Sequence, residues 1–432
     1  MHRASEQHRG RPTRARRRRG RRAGATALSR AARASTVAGV GTMAYVLAGY
    51  PLLVSAWSLA KGQRPVRGAP CRPISVVISA HDEARVIGAK LRSLAAGSYP
   101  LDQLQVIVSD DGSTDDTVRV VQAVAPWAEV VRAPRRTGKI GAMQRAMASV
   151  RHDVVVFTDA ENLLGPDSLK ELVAPFEDPG VGAVNGAFRP TGGAESVSTG
   201  ERLYWRYEDA IKQAEANVGS LTSILGALFA VRTELVPPLP DHVINDDFYL
   251  GMQVARQGRR VAYAAEAVTW ESGASSLGGD ASRRARMTAG RWQTVQHWRE
   301  ILPTRSPVVM WQVLSHKYLR LLLPVAMAAS LVGTAAELAT RRPGARASRW
   351  AAGLLWAQLC GYGLAASADV IPRRFGPARA AAHALRYLVR TNLASAEGFW
   401  RFLRTPEQLA LWDQVEKQPL GDDHPRPVRR IA

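Results

Sequence analysis

Carboxylates gather in this sequence at the ends of apolar runs. Asp153 to Asn162 reads DVVVFTDAEN, where Val154 to Phe157 lead straight into Thr158, Asp159, Ala160, Glu161 and Asn162. A short unbroken apolar run rich in β-branched residues marks a strand buried on both faces. Acids at the end of such a strand lose hydration unless a counter-charge compensates. The usual compensation is a divalent cation, and oxygen ligands at this spacing suit magnesium or manganese. On this stretch alone, a solvated acidic loop is an equal alternative.

Two more apolar runs end in the same way. Ile74 to Ser79 (ISVVIS) leads to His81-Asp82-Glu83, and Gln105 to Ser109 leads to Asp110-Asp111-Gly112-Ser113. Between the runs lie helical patterns. Ala84 to Ala96 places Val86, Ile87, Leu91 and Leu94 on one face, and Ser113-Thr114-Asp115-Asp116 is a helix N-terminus signature. Val130 and its neighbours form a short strand, and Lys139 to Val150 a helix. This alternation argues for an α/β domain with a mostly parallel sheet. In such sheets the ligand lies beyond the carboxyl ends of the strands, which brings the three acidic strand ends toward one pocket. Helix capping explains one such acid easily and three poorly. No GxGxxG follows the first strand, which disfavours a dinucleotide oxidoreductase.

Together the segments SAHDEA, VSDDGSTDDT, RTGKIGAMQRAM, VVFTDAEN, GALFAVR and NDDFYLGMQVARQGRRVAY resemble family 2 glycosyltransferases with a GT-A fold, in the family's order, over about residues 74–298. The resemblance implies that His81, Asp82 and Glu83 line the nucleotide and that Asp111 hydrogen-bonds the base. Lys139 would meet the nucleotide or its phosphates. Asp159 would contact ribose and a divalent metal (magnesium or manganese). Glu161, one methylene longer than the family's usual aspartate, would be a second metal ligand. Asp247 falls at the general base of an inverting transfer, the carboxylate that takes the acceptor hydroxyl proton. Asp246 and Asp247 also precede a helical pattern, and acids favour that end; Asp246 capping and Asp247 catalytic are compatible roles. Acceptor or diphosphate contacts are expected at Asp246, Gly226, Arg286, Arg291 and Trp292. The family's processive members carry QxxRW, and Thr288 stands here at the glutamine position. Arg283, Arg284 and Arg286 are an alternative source of positive charge, and an interfacial helix is an alternative reading of the whole stretch.

The remaining sequence bounds the architecture. At 432 residues and net charge +21 the chain exceeds one ordinary domain. Residues 1–33 hold twelve arginines and one acid, whereas the whole chain has seven lysines. Two cysteines, Cys71 and Cys360, imply no disulfide framework. Residues 1–34 are expected to be a disordered tail facing anionic lipid, since no aromatic residue interleaves the arginines to favour nucleic acid. Residues 35–60 carry no charge and exceed the roughly 20 needed to cross a bilayer, which makes them a membrane anchor. Basic residues flank both ends, so the positive-inside rule leaves the orientation open. The catalytic domain spans 61–304, followed by candidate spans at 317–340 and 349–371, an amphipathic interfacial helix at 380–404, and a tail at 405–432.

The expected activity is a multi-pass plasma-membrane transferase with its catalytic domain cytoplasmic. It would move a sugar from a UDP-linked donor to a lipid-linked or glycan hydroxyl. A processive polysaccharide synthase is the alternative, disfavoured by Thr288 and by few spans. A catalytically silent relative is disfavoured by the acid set together with Lys139.

Overall fold

The computed structural model describes residues 14–61, 71–191, 199–240, 243–272, 277–303, 305–340, 346–372 and 374–404. The first 13 residues and the expected tail at 405–432 lie outside them. Its strands are β1 (Ile74–Ala80), β2 (Leu104–Asp110), β3 (Glu129–Arg132), β4 (Val154–Asp159), β5 (Leu163–Leu164), β6 (Val181–Thr191), β7 (Leu228–Arg232) and β8 (Arg260–Ser272). Its α-helices run from α1 (Arg14–Ala44) and α2 (Tyr50–Lys61), joined by one π turn, through α3 (Ile87–Ala95), α4 (Thr117–Val124), α5 (Gly138–Met147), α6 (Ser168–Val173) and α7 (Thr199–Val218). Then come α8 (Asp246–Arg256), α9 (Leu277–Gln296), α10 (Trp298–Ile301), α11 (Pro307–Val313), α12 (Leu319–Leu321), α13 (Leu323–Thr340), α14 (Arg346–Ala366) and α15 (Gly376–Arg404).

All eight strands form one sheet in the order β3-β2-β1-β4-β7-β6-β8-β5. Strands β3, β2, β1 and β4 run parallel, as the βαβ alternation predicts. Beyond β4 the expectation of a mostly parallel sheet is corrected. β7 is antiparallel to both β4 and β6, β8 is parallel to β6, and β5 is antiparallel to β8. The sheet is mixed because this second half is not built from βαβ crossovers, the one connection that forces parallel strands.

Period-two alternation explains why the central strands are apolar throughout. Val76 and Ile78 of β1 face Ile87, Leu91 and Leu94 of α3, while Val77 faces Ile140 and Met143 of α5. With both faces covered, every residue of β1 is buried. Register then fixes the polar ends: Ala80 lies beside Asp110, and Ser79 beside Asp159.

Outside the sheet, α1 begins at Arg14, so residues 14–34 are helical where a disordered tail is expected; alanine and arginine both have high helix propensity. Among the described residues, two helical stretches are long and apolar enough to cross a membrane, Ala27–Ala60 and Leu323–Thr340. Helix α14, at the expected 349–371 span, forms but is not one of them. Helices α1 and α13 approach closely: Ser35 Oγ donates to the Ala329 carbonyl (3.1 Å), and a Cβ on Gly39 would stand 2.5 Å from the Ala326 carbonyl. Helix α15 covers the stretch expected at 380–404, with Leu393, Trp400 and Leu403 exposed and Phe402 buried.

A buried polar node joins α2, α7 and the segment after α11. Glu215 accepts from Tyr50, from the Thr222 N–H (3.1 Å) and hydroxyl (2.8 Å), and faces His316 Nδ1 (2.7 Å). His316 Nε2 faces Glu208 (3.2 Å), which also pairs with Arg320.

Candidate functional site

At the carboxyl ends of β1, β2 and β4 the acids have distinct surroundings. Asp111 is fully buried. It accepts from the Thr137 N–H (2.8 Å), the Thr137 hydroxyl (2.6 Å) and the Gly138 N–H (2.7 Å). The carboxylate thereby clamps the turn that starts α5, where Gly138 has φ +83°, a conformation that glycine adopts without strain. Lys139 comes next. Its Nζ stands 2.9 Å from Asp159 and 3.4 Å from Asp246. Burial works against this ammonium, but Asp159 and Asp246 outweigh it and hold the amine above the ordinary lysine value.

Gly226, just before β7, completes the floor. Its N–H donates to Asp247 Oδ2 (2.8 Å), and a Cβ there would stand 3.1 Å from Lys139 Nζ. Burial raises the Asp247 carboxyl above the ordinary aspartate range, and the neighbouring Asp246 adds to this, against the pull of Lys139. The N-terminus of α8 lies where the sequence places it, but with its acids in a different arrangement. Asp246 turns to Lys139 because a full positive charge outcompetes a helix end, and the Phe248 N–H donates to Asp247 (2.6 Å).

The first strand end forms a neighbouring ridge. His81 Nδ1 donates to the Asp111 carbonyl (3.0 Å), and Asp82 adopts φ +53°. The Asp82 carboxylate accepts from the Thr114 N–H (2.7 Å). Burial opposes its charge, yet the Thr114 and Asp115 N–H groups hold this carboxyl below the ordinary value. The Glu83 N–H donates to the Thr117 hydroxyl (2.8 Å), tying the ridge to α4.

The structure thus brings Lys139, Asp159, Asp246, Asp247 and Gly226 into one cluster, with His81, Asp82, Glu83 and Asp111 alongside. Glu161 follows β4 on a half-exposed position. Trp292 packs on Phe399 of α15 (centroids 4.6 Å), and Arg286 and Arg291 are half-buried on α9. The side chains of Arg283 and Arg284 lie outside the described residues. Among those residues no three His, Cys, Asp or Glu side chains converge on a metal position. Asp159 and Glu161 supply two carboxylates, a set that fits magnesium or manganese, because such ions take one or two carboxylates and complete their shell with phosphate oxygens and water.

Several residues of the site escape sequence reasoning. Lys90 on α3 is fully buried and donates to the Thr158 hydroxyl (2.7 Å) and the Asn162 carbonyl (2.7 Å). Thr158 in turn donates to the Ala227 carbonyl (2.7 Å), so Lys90 braces both β4 and the Gly226 segment. Burial pushes the Lys90 amine down to about 7, against the attraction of Asp159. Its signal was its register: Lys90 falls at helical spacing with Ile87 and Leu94, on the buried face. Gln293 of α9 accepts from the Ile244 N–H (3.1 Å), and Asn245 donates to the Met287 carbonyl (3.1 Å). These bonds seat α9 against the Asp246-Asp247 turn and have no local sequence signature.

Comparison with known proteins bears on the family and the fold. Residues 70–290 match the model of the glycosyltransferase-like family 2 domain. A probable glycosyltransferase of Bacillus subtilis is 29% identical over 213 residues, covering 46% of this chain and 50% of that protein. An N-acetylglucosaminyltransferase of Mesorhizobium japonicum is 28% identical over 232 residues, 50% of this chain and 54% of the relative. The chain thus spans about half the length of these curated relatives. Among solved structures, a mannosyltransferase of Pyrobaculum calidifontis in complex with GDP-Man and Mn2+ superimposes with a TM-score of 0.64 at 24% identity, over 86% of this chain and 99% of that one. The fold is that of a GT-A glycosyltransferase, and the chain belongs to glycosyltransferase family 2.

Proposed function

We propose that the protein is a membrane-anchored, inverting glycosyltransferase that moves a sugar from a nucleotide-diphospho-sugar to an acceptor hydroxyl. The observation that carries this reading is the triangle of Lys139, Asp246 and Asp159, with Asp247 held beside it on the Gly226 N–H. The nucleotide lies along the His81–Glu83 ridge, with Asp111 behind it. Asp247 takes the proton of the acceptor hydroxyl as that oxygen bonds to the anomeric carbon. The bond from that carbon to the diphosphate breaks on the opposite side, and the diphosphate leaves with the electron pair. Burial makes Asp247 a stronger base than an ordinary aspartate, and a base within reach contributes about 10²–10⁴-fold. Lys139 supplies positive charge at the leaving diphosphate. A divalent cation held by Asp159 and Glu161 would add further neutralisation there. Helices α1–α2 and α13 anchor the chain, supported by lipid-accessible Leu52, Leu59, Val325 and Val332; the sequence favours a UDP-linked donor and a cytoplasmic catalytic domain.

The test is a screen of UDP- and GDP-sugars with the full chain, reading nucleotide release with magnesium or manganese and after chelation. Asp247→Asn is expected to keep donor binding and lose transfer. Near-normal turnover in that variant would remove Asp247 from the role.

A further inference from the structure

Around the Asp247 side of the site, the other acids already have hydrogen-bond or charge partners. Glu208 is matched to Arg320 and His316, Glu215 to Tyr50 and His316, Asp209 to Arg189 and Tyr263, and Asp246 to Lys139. Three cations are left over. Lys212, wholly buried and without a hydrogen-bond partner for its Nζ, lies over the Trp205 and Tyr263 rings. The other two are half-buried. Lys317 Nζ donates to Ser223 Oγ (2.8 Å), and the Arg291 guanidinium makes no ion pair among the described residues.

Both border the proposed base. Ser223 lies one short turn before Gly226, whose N–H holds Asp247. Arg291 follows Gly290, where a Cβ would stand 2.6 Å from Asn245 Nδ2, on the turn that carries Asp246 and Asp247. The two elements are laced together: Tyr318 OH donates to Thr294 Oγ1 (2.9 Å), and Thr294 Oγ1 donates to the Arg291 carbonyl (2.6 Å). Two half-buried cations on laced elements, with no carboxylate assigned to either, make a seat for an anion. Both lie beyond residues 70–290, the segment matched to the family, and Lys317 immediately precedes α12 and the apolar α13.

We infer that the acceptor carries a phosphate ester, seated on Arg291 and Lys317 so that its hydroxyl meets the anomeric carbon beside Asp247. This deepens the transferase reading and rests on it. The acceptor phosphate keeps all its bonds through the reaction; the acceptor hydroxyl loses its proton to Asp247 as its oxygen bonds to the anomeric carbon and the donor diphosphate leaves with the electron pair. The same chemistry serves a lipid headgroup or a soluble phosphate, and the position of Lys317 at the start of the apolar helices favours the lipid.

The experiment measures binding to the full chain without turnover. Butyl phosphate against butanol probes the soluble source. Phosphatidylcholine vesicles with and without phosphatidic acid probe the lipid source. Arg291→Gln and Lys317→Gln are each expected to weaken the phosphate probes by about 10- to 100-fold, the range for a lost charge-assisted contact, with UDP and GDP affinity unchanged. Arg291→Lys and Lys317→Arg are expected to recover most of the loss, which separates charge from misfolding. In the unaltered protein the phosphate probe and nucleoside diphosphate are expected to bind together. Competition between them, or variants that lose nucleotide and keep the phosphate probe, would assign these cations to the donor and overturn the inference. A chain that binds neither UDP nor GDP would refute the transferase reading and take the acceptor assignment with it.

Discussion

Asp247 sits between two opposing charges, and that gives its titration a testable sign. Its carboxyl is raised by burial and by Asp246 and lowered by Lys139. A general base works only when deprotonated, so activity is expected to fall with acid at a pH above the ordinary aspartate value of 3.8. Asp246→Asn removes the like charge and should move that acid limb to lower pH. A pH–rate profile on residual activity checks it, and a limb that moves upward would contradict the arrangement. Asp111 illustrates a different role for a buried acid. Its three hydrogen bonds hold the turn before Lys139, and Asp111→Ala strands two backbone N–H donors. The expected loss is about 2–3 kcal/mol in thermal or denaturant unfolding, with loss of transfer. Gly226→Ala is subtler. The added methyl presses on Lys139 Nζ at 3.1 Å, so activity should fall while stability changes little. The residue types of this cluster were legible in sequence because each acid ends an apolar run. Their partners were not: nothing near Asp246 in the chain indicates that Lys139, more than a hundred residues earlier, would draw it away from a capping role.

At the scale of elements, α3 and β4 depend on one another through a single lysine. Lys90 is buried away from water and donates two hydrogen bonds, and its removal leaves the Asn162 carbonyl without its donor. Lys90→Met is expected to cost about 1–3 kcal/mol of stability. The segment from Asp159 to Asn162 should loosen as well, seen as faster hydrogen exchange there than in β2. The parallel half of the sheet was readable because each strand announces itself by β-branched runs and each helix by its apolar face. The second half was not. β6 and β8 are long strands whose pairing skips over β7 in chain order, and pairing of distant strands follows from packing that no local pattern encodes. The same limit applies to α1, where arginine-rich composition suggests disorder while helix propensity carries the chain into a helix that α13 supports.

At the scale of the molecule, the apolar helices are docked on each other and on the catalytic domain. Gly39 and Gly333 allow α1 and α13 to touch backbone to backbone, since a Cβ on Gly333 would stand 2.8 Å from the Ala32 carbonyl. Gly39→Leu or Gly333→Leu should overpack this crossing, at a cost of about 1–3 kcal/mol. Faster hydrogen exchange in α13 should accompany the loss. The exposed face of α15 belongs to the same scale. Replacing Trp400 and Leu403 with aspartate should reduce cosedimentation with anionic vesicles and leave nucleotide binding unchanged.

The node of Tyr50, Glu215 and His316 fixes something that a leash could not. In the proposed membrane-anchored arrangement, one hydroxyl from the N-terminal apolar helix, locked into the interior of the sugar-handling unit, would keep the working end from wandering up and down above the lipid. It is a pedestal, set at one altitude. Acceptors would then be sorted also by how far their reactive oxygen protrudes from the bilayer, a ruler built from helix length.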